Sequence, residues 1–140
     1  MTPAEIDVDT WLEHAADPEL TELDALLAAA FAGRSRRLWT GVFWGGSEQE
    51  IIGYGDLVQS RPRGPDVEWF VVGLARQKKH LSLYVNAVED RRYLAQVYAD
   101  RLGRVKVGAA SLGFGSVADL DRDVLIEMLA EAARLTAETS

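Results

Sequence analysis

Between Leu38 and Asn86 the chain runs as aromatic and β-branched segments broken by clusters of glycine, proline, serine and charge. Such runs read as consecutive antiparallel strands, and this texture constrains the fold more than any other feature. The spacing predicts strands over 38–44, 50–59, 67–75 and 80–86. The turns between them fall at GGSEQ (45–49), SRPRGPD (60–66) and RQKK (76–79). The result is a meander. In the third segment Trp69, Val71 and Gly73 alternate against Phe70, Val72 and Leu74, so both faces are apolar and the strand is central. The fourth puts Leu81, Leu83 and Val85 on one face, with Ser82 and Tyr84 on the other.

Helical periodicity brackets these strands. Asp17-Pro18-Glu19 supplies a cap, a proline at the first helical position and a carboxylate for the positive end of the dipole. Leu20, Leu23, Leu26, Leu27, Ala30 and Phe31 then form one apolar stripe that Gly33 ends. A shorter helix carrying Trp11 and Leu12 precedes it, capped by Asp9. After the strands, a helix over 89–102 turns Tyr93, Leu94, Val97, Tyr98 and Leu102 inward. Another over 122–137 turns Val124, Leu125, Met128, Leu129, Ala132 and Leu135 inward and leaves Asp123, Glu127 and Glu131 to water. Between them VKVGAASLGFGS holds a short strand at Ser111–Phe114. The class is therefore α+β, an antiparallel sheet of about four to five strands packed with N- and C-terminal helices.

Length and composition narrow the function. A chain of 140 residues with 48% hydrophobic and 26% charged residues suits a single domain over 1–140. A net charge of -7 argues against a nucleic-acid partner, which needs clustered cations. The absence of cysteine removes disulfides and thiolate sites and agrees with a reducing compartment. The acidic opening lacks the basic and apolar regions of a signal peptide, and no apolar stretch reaches the ~20 residues of a membrane helix. The expectation is a cytoplasmic protein with no membrane partner.

Few residues suggest chemistry. Gly53-Tyr54-Gly55 lacks the third glycine and following helix of a nucleotide fingerprint, and glycines inside a strand mark a bulge or a close backbone approach. His14 and His80 have no partner histidine at ligand spacing, and Ser111 has none near in sequence. The carboxylates Glu5, Asp7, Asp9, Glu13, Asp17, Glu19, Glu22 and Asp24 read first as solvated helix faces and caps, and second as weak oxygen ligands for a cation. The basic knot Arg76-Gln77-Lys78-Lys79-His80 is either the wet tip of a hairpin or the positive end of a pocket walled by Tyr54 and Tyr84.

In IIGYGD (51–56), EWFVVGLARQKKHLSLYV (68–85), KVGAASLGF (106–114) and ADLDRDVLIEML (118–129), the chain resembles the YdhG-like family, a bacterial domain family of unknown function. The resemblance spans Trp11 to Leu135 and implies a small α+β domain, an antiparallel sheet packed with helices as a YdhG-like, frataxin-like two-layer sandwich. One branch of that family is described as frataxin-like iron chaperones. By position, Gly53, Tyr54 and Gly55 match the family's glycine-aromatic-glycine strand, Lys78 and Tyr84 its hairpin lysine and tyrosine, and Gly108 with Leu112 its later glycine loop. The chain departs at Ala109, where relatives carry lysine, and at Arg76 and Gln77, where they carry proline and arginine.

The reading is a non-catalytic protein that binds a small anionic ligand through Tyr54, Lys78, Tyr84, Gly108 and Ser111, or works as a chaperone, without a cofactor. Three rivals stand beside it. The first is iron handling by Asp17, Glu19 and Glu22. The second is an enzyme acting on a small anionic substrate around Tyr54, Lys78, Tyr84 and Ser111. The third is an interaction or homodimer module that presents Trp39, Phe43 and Trp44.

Overall fold

Leu38, Ile52, Leu74, Leu83 and Leu112 stand in one transverse row across five hydrogen-bonded strands. All five are at most 1% exposed. Removing each such side chain from water contributes about 1.5–3 kcal/mol, and the row fixes the register, since a slip of one residue would turn every leucine outward.

The computed structural model describes residues 2–42, 48–59 and 67–137. Along the chain come β1 (Thr2–Pro3), α1 (Val8–Ala15), α2 (Pro18–Ala30), β2 (Arg36–Val42), β3 (Glu48–Gln59), β4 (Val67–Arg76) and β5 (Leu81–Val85). There follow a small hairpin of β6 (Val88–Glu89) and β7 (Arg92–Tyr93), then α3 (Leu94–Tyr98), β8 (Lys106–Val107), β9 (Ser111–Phe114) and α4 (Arg122–Leu135). Among the described residues seven strands form one antiparallel sheet in the order β1-β2-β3-β4-β5-β9-β8. The protein is α+β, with β4 central as its two-sided apolar pattern demands.

All four helices contribute to one core on one face of the sheet. Val8 and Leu12 of α1, Leu20, Leu23 and Leu27 of α2, Leu94 and Ala95 of α3, and Leu125, Met128, Leu129 and Ala132 of α4 pack there against the leucine row. The opposite face carries a second cluster, drawn among the described residues from strands, with Trp39, Ile51, Phe70 and Ala75 buried and Trp69 and Tyr84 packed against them. Its floor is the cross-strand pair Gly53–Gly73. A Cβ on Gly53 would lie 2.6 Å from the Trp39 indole nitrogen and 2.8 Å from Phe70 Cβ, and one on Gly73 would lie 2.5 Å from the Phe70 ring. The glycines are there so that aromatic rings can lie against the backbone. Gly55, at φ +74°, makes the bend that follows.

Several expectations change. Glu48 and Gln49 belong to β3, not to a turn. The other two expected turns, and Phe43 and Trp44, fall on residues 43–47 and 60–66, which lie outside the described residues. The cap of α1 is Asp7, whose carboxylate accepts from Thr10 N at 3.2 Å, instead of Asp9. The helix expected over 89–102 is reduced to α3 and a 3-10 turn at Ala99–Arg101, because Asp90 and Arg91 at φ +50° and +67° reverse the chain between β6 and β7. Val97 consequently faces outward at 36% exposure. The helix over 122–137 forms as Arg122–Leu135, capped by Asp121.

Candidate functional site

Ser82 and Tyr84 leave β5 on the face away from the helices, as strand alternation requires. Register then decides their neighbours. Ala75, Ser82, Gly113 and Lys106 follow one another across β4, β5, β9 and β8, while Gly73, Tyr84 and Ser111 form the adjacent row. Three small residues in succession leave a depression in the sheet surface, and its rim is built from longer side chains. The groove has a volume of about 910 Å³, and its lining includes Lys79, His80, Arg104 and Lys106 as well as Tyr84, Gly108 and Ser111.

Among the described residues no carboxylate lines this groove. Arg36, Arg37, Arg76, Arg101, Arg122 and Arg134 each pair with an acidic side chain, whereas among the described residues no ion pair reaches Lys79, Arg104 or Lys106. Lys78, Arg91 and Arg92 are likewise unmatched but stand outside the groove. Three full positive charges therefore converge on one concavity of a chain whose net charge is -7. The Tyr84 hydroxyl accepts from Gln77 Nε2 at 3.3 Å, and burial raises its pKa, so the phenol stays neutral near pH 7. His80 shares the groove with Ser82 and Ser111, but no hydrogen bond joins the imidazole to either hydroxyl. A nucleophile–base pair is not assembled there.

Tyr54 is on the other side of the sheet. It shares the core face with Ile52 and is fully buried, donating its hydroxyl to Asp24 Oδ1 at 2.6 Å. Burial and the Asp24 charge push its pKa well above the usual tyrosine value. Asp24 also accepts from Arg36 Nη2 at 2.6 Å and Nε at 3.1 Å, and Arg36 reaches Asp9 at 3.0 Å. These hydrogen bonds keep the Arg36 guanidinium charged. Tyr54 thus belongs to a buried polar clasp between α2 and the sheet, and a pocket shared by Tyr54 and Tyr84 is ruled out by the alternation itself. Asp24, 7% exposed, is not the solvated carboxylate the sequence suggested.

Lys78 is also separated from Tyr84. It lines a second concavity of about 380 Å³ on the helical side of the hairpin tip, with Trp11, Asp17 and Arg76. Of the expected ligand set, the groove unites Tyr84, Gly108 and Ser111 and omits Tyr54 and Lys78.

The carboxylates considered for a metal have other partners. Asp17 takes two hydrogen bonds from Arg76, and these, with the capping bonds it accepts from Leu20 N and Glu19 N of α2, hold its carboxyl below the ordinary value. Glu19 accepts from Val117 N and Ser116 Oγ at 2.8 Å each, and these bonds lower its pKa too. Glu22 pairs with Arg122 at 3.2 Å. Among the described residues no group of three or more His, Asp or Glu side chains is arranged to hold a metal ion. Trp39, at 3% exposure, is packed edge-on against Trp69 and Phe70 and offers no free surface.

Sequence reasoning missed Arg104 and Lys106, and within the basic knot it chose Lys78 where the groove takes Lys79 and His80. The signal available was the alternation Arg104-Val105-Lys106-Val107, which reads as a strand with both cations on one face. Among the described residues no helix is long and apolar enough to cross a membrane. Comparison with protein-family models, with curated proteins and with solved structures returned no match.

Proposed function

We propose that this protein binds a small anionic molecule, without catalysing its conversion, in the groove formed by β5, β9 and β8. The observation that carries this reading is the convergence of Lys79, Arg104 and Lys106, unmatched by any described carboxylate, on a concavity that no acidic residue lines. In physiological salt, charges beyond about 8 Å are screened, so the local cations outweigh the acidic surface elsewhere. Ser82, Ser111 and the Tyr84 hydroxyl supply neutral hydrogen-bonding groups to orient the ligand. The YdhG-like resemblance and a cytoplasmic location belong to the same proposal, and the motifs and lack of cysteine support them.

Thermal-shift titration with inorganic phosphate and citrate tests it on the parent, Lys106→Ala, Lys79→Ala and Lys78→Ala proteins. A ligand present at 100 times its dissociation constant stabilises the folded state by about 2.7 kcal/mol. Lys106→Ala and Lys79→Ala should weaken the response, while Lys78→Ala, whose side chain lies at the other concavity, should not. A parent protein indifferent to both anions, or a Lys78→Ala loss equal to that of Lys79→Ala, would refute the groove.

A further inference from the structure

We infer that the anion taken by the groove carries a planar aromatic ring, so that the ligand class is an aryl or nucleoside phosphate. This rests on the anion-binding reading and adds a second recognition element to it. The groove is not uniform along its length. Tyr84 and Ser111 face each other in one row, and Ser82, Gly113 and Lys106 occupy the next, about 6.7 Å away. Lys79 and His80 lie further on, at the hairpin tip, and Arg104 leads into β8. An aromatic row thus lies beside a cationic one, and the Tyr84 hydroxyl reaches Gln77 on the hairpin-tip side.

The floor of the groove is flat for a definite reason. Gly113 has no side chain, and a Cβ placed on it would meet only His80 at 3.5 Å and Lys106 at 3.9 Å, which are ordinary contacts. The backbone conformation does not demand glycine either, since its φ is not positive. An added Cβ is therefore tolerated by the fold, and side-chain atoms beyond it would project into the groove. Tyr84 packs against the Trp39–Phe70 cluster while also lining the groove, so its ring is held in place before any ligand arrives. A fixed phenol beside a bare strand is a stacking platform, and Lys106 stands in the neighbouring row across the sheet, so a single ligand that carries both a ring and a phosphate meets both.

The test titrates the intact chain with adenosine 5′-monophosphate, 1-naphthyl phosphate and inorganic phosphate, following tryptophan fluorescence and Tm. At least one aromatic phosphate should bind about tenfold or more tightly than inorganic phosphate, a difference that ring stacking supplies. The one that binds tighter separates a nucleoside from a simple aryl ligand. Gly113→Val should abolish that advantage while leaving the phosphate response intact, and Gly113→Ala, with parental Tm, serves as the folding control. Lys106→Ala should weaken all three. Equal affinity for inorganic and aromatic phosphates, or an aromatic advantage that survives Gly113→Val, overturns the ring while anion binding stands. No response to any of the three overturns both.

Discussion

Replacing Arg36 with methionine should destabilise the protein severely. Asp24, on α2, is 7% exposed and receives three hydrogen bonds, two of them from the Arg36 guanidinium at 2.6 and 3.1 Å and one from Tyr54 at 2.6 Å. Methionine keeps the length of the stem but leaves a buried carboxylate with a single neutral donor. Breaking such a pair costs about 3–5 kcal/mol. The side chain of Arg36 is 25% exposed and Tyr54 remains, so the low end, about 3 kcal/mol, applies. The contact to Asp9, a side chain 73% exposed, adds little. For a chain of this size that loss lowers Tm by about 10 °C. Urea denaturation of Arg36→Met and of the triple variant Asp24→Leu/Arg36→Met/Tyr54→Phe separates charge from shape. The apolar triple should recover to within about 1 kcal/mol of the parent, because the penalty arises from the orphaned carboxylate and not from the missing pair. A single variant that loses less than about 1 kcal/mol, or a triple as unstable as the single, would show that the clasp is not buried as described.

Gly53→Ala should cost about 1–3 kcal/mol in urea, because its Cβ would meet Trp39 at 2.6 Å and the Cβ of Phe70 at 2.8 Å, and the latter has no rotation to escape by. Asp17 and Glu19 have pKa values below their ordinary 3.8 and 4.5, so their contribution is fully present above the unfolded values and is lost as pH falls through the folded ones. Stability should decline from about pH 5 downward, and Asp17→Asn/Glu19→Gln should flatten that decline in acid titrations of Tm. Glu127→Gln breaks a bidentate pair with Arg101, but both side chains are at least 50% exposed, and scanning calorimetry should find Tm within about 2 °C of the parent.

The meander was legible because alternation and turn composition agree over Leu38–Asn86, and α2 and α4 were legible because both carry caps and an apolar stripe. Asp24 was readable in principle, since it falls on the stripe of Leu20, Leu27 and Phe31 at helical spacing, and a carboxylate there must be either paired or misplaced. The β6–β7 hairpin was not readable. Its turn uses Asp90 and Arg91 in the left-handed region without a glycine, and Tyr93, Leu94 and Val97 imitate a helical face. The groove escaped for a different reason, because β9 pairs with β5 across an intervening segment and β8 is only two residues long. Local periodicity fixes which face a side chain takes, and so separates Tyr84 from the leucines beside it. It does not say which distant strand will lie alongside.

The sheet is not laid down in one pass. Each of β2 to β5 pairs with the strand before it, but β9 reaches β5 only after residues 86–110 have been traversed, and β8 is held by two residue pairs to β9. Contacts between distant segments must overcome loop-closure entropy and form late, and short edges are the first to breathe. The strand that carries Lys106 can therefore fray from Ser111–Phe114 while the row from Leu38 to Leu83 stays closed. Amide exchange would run fast at Lys106 and Val107 and slow from Val71 to Ala75. If the groove holds an anion as proposed, its residence time is set by the breathing of this edge, on a clock separate from the one that governs unfolding of the domain.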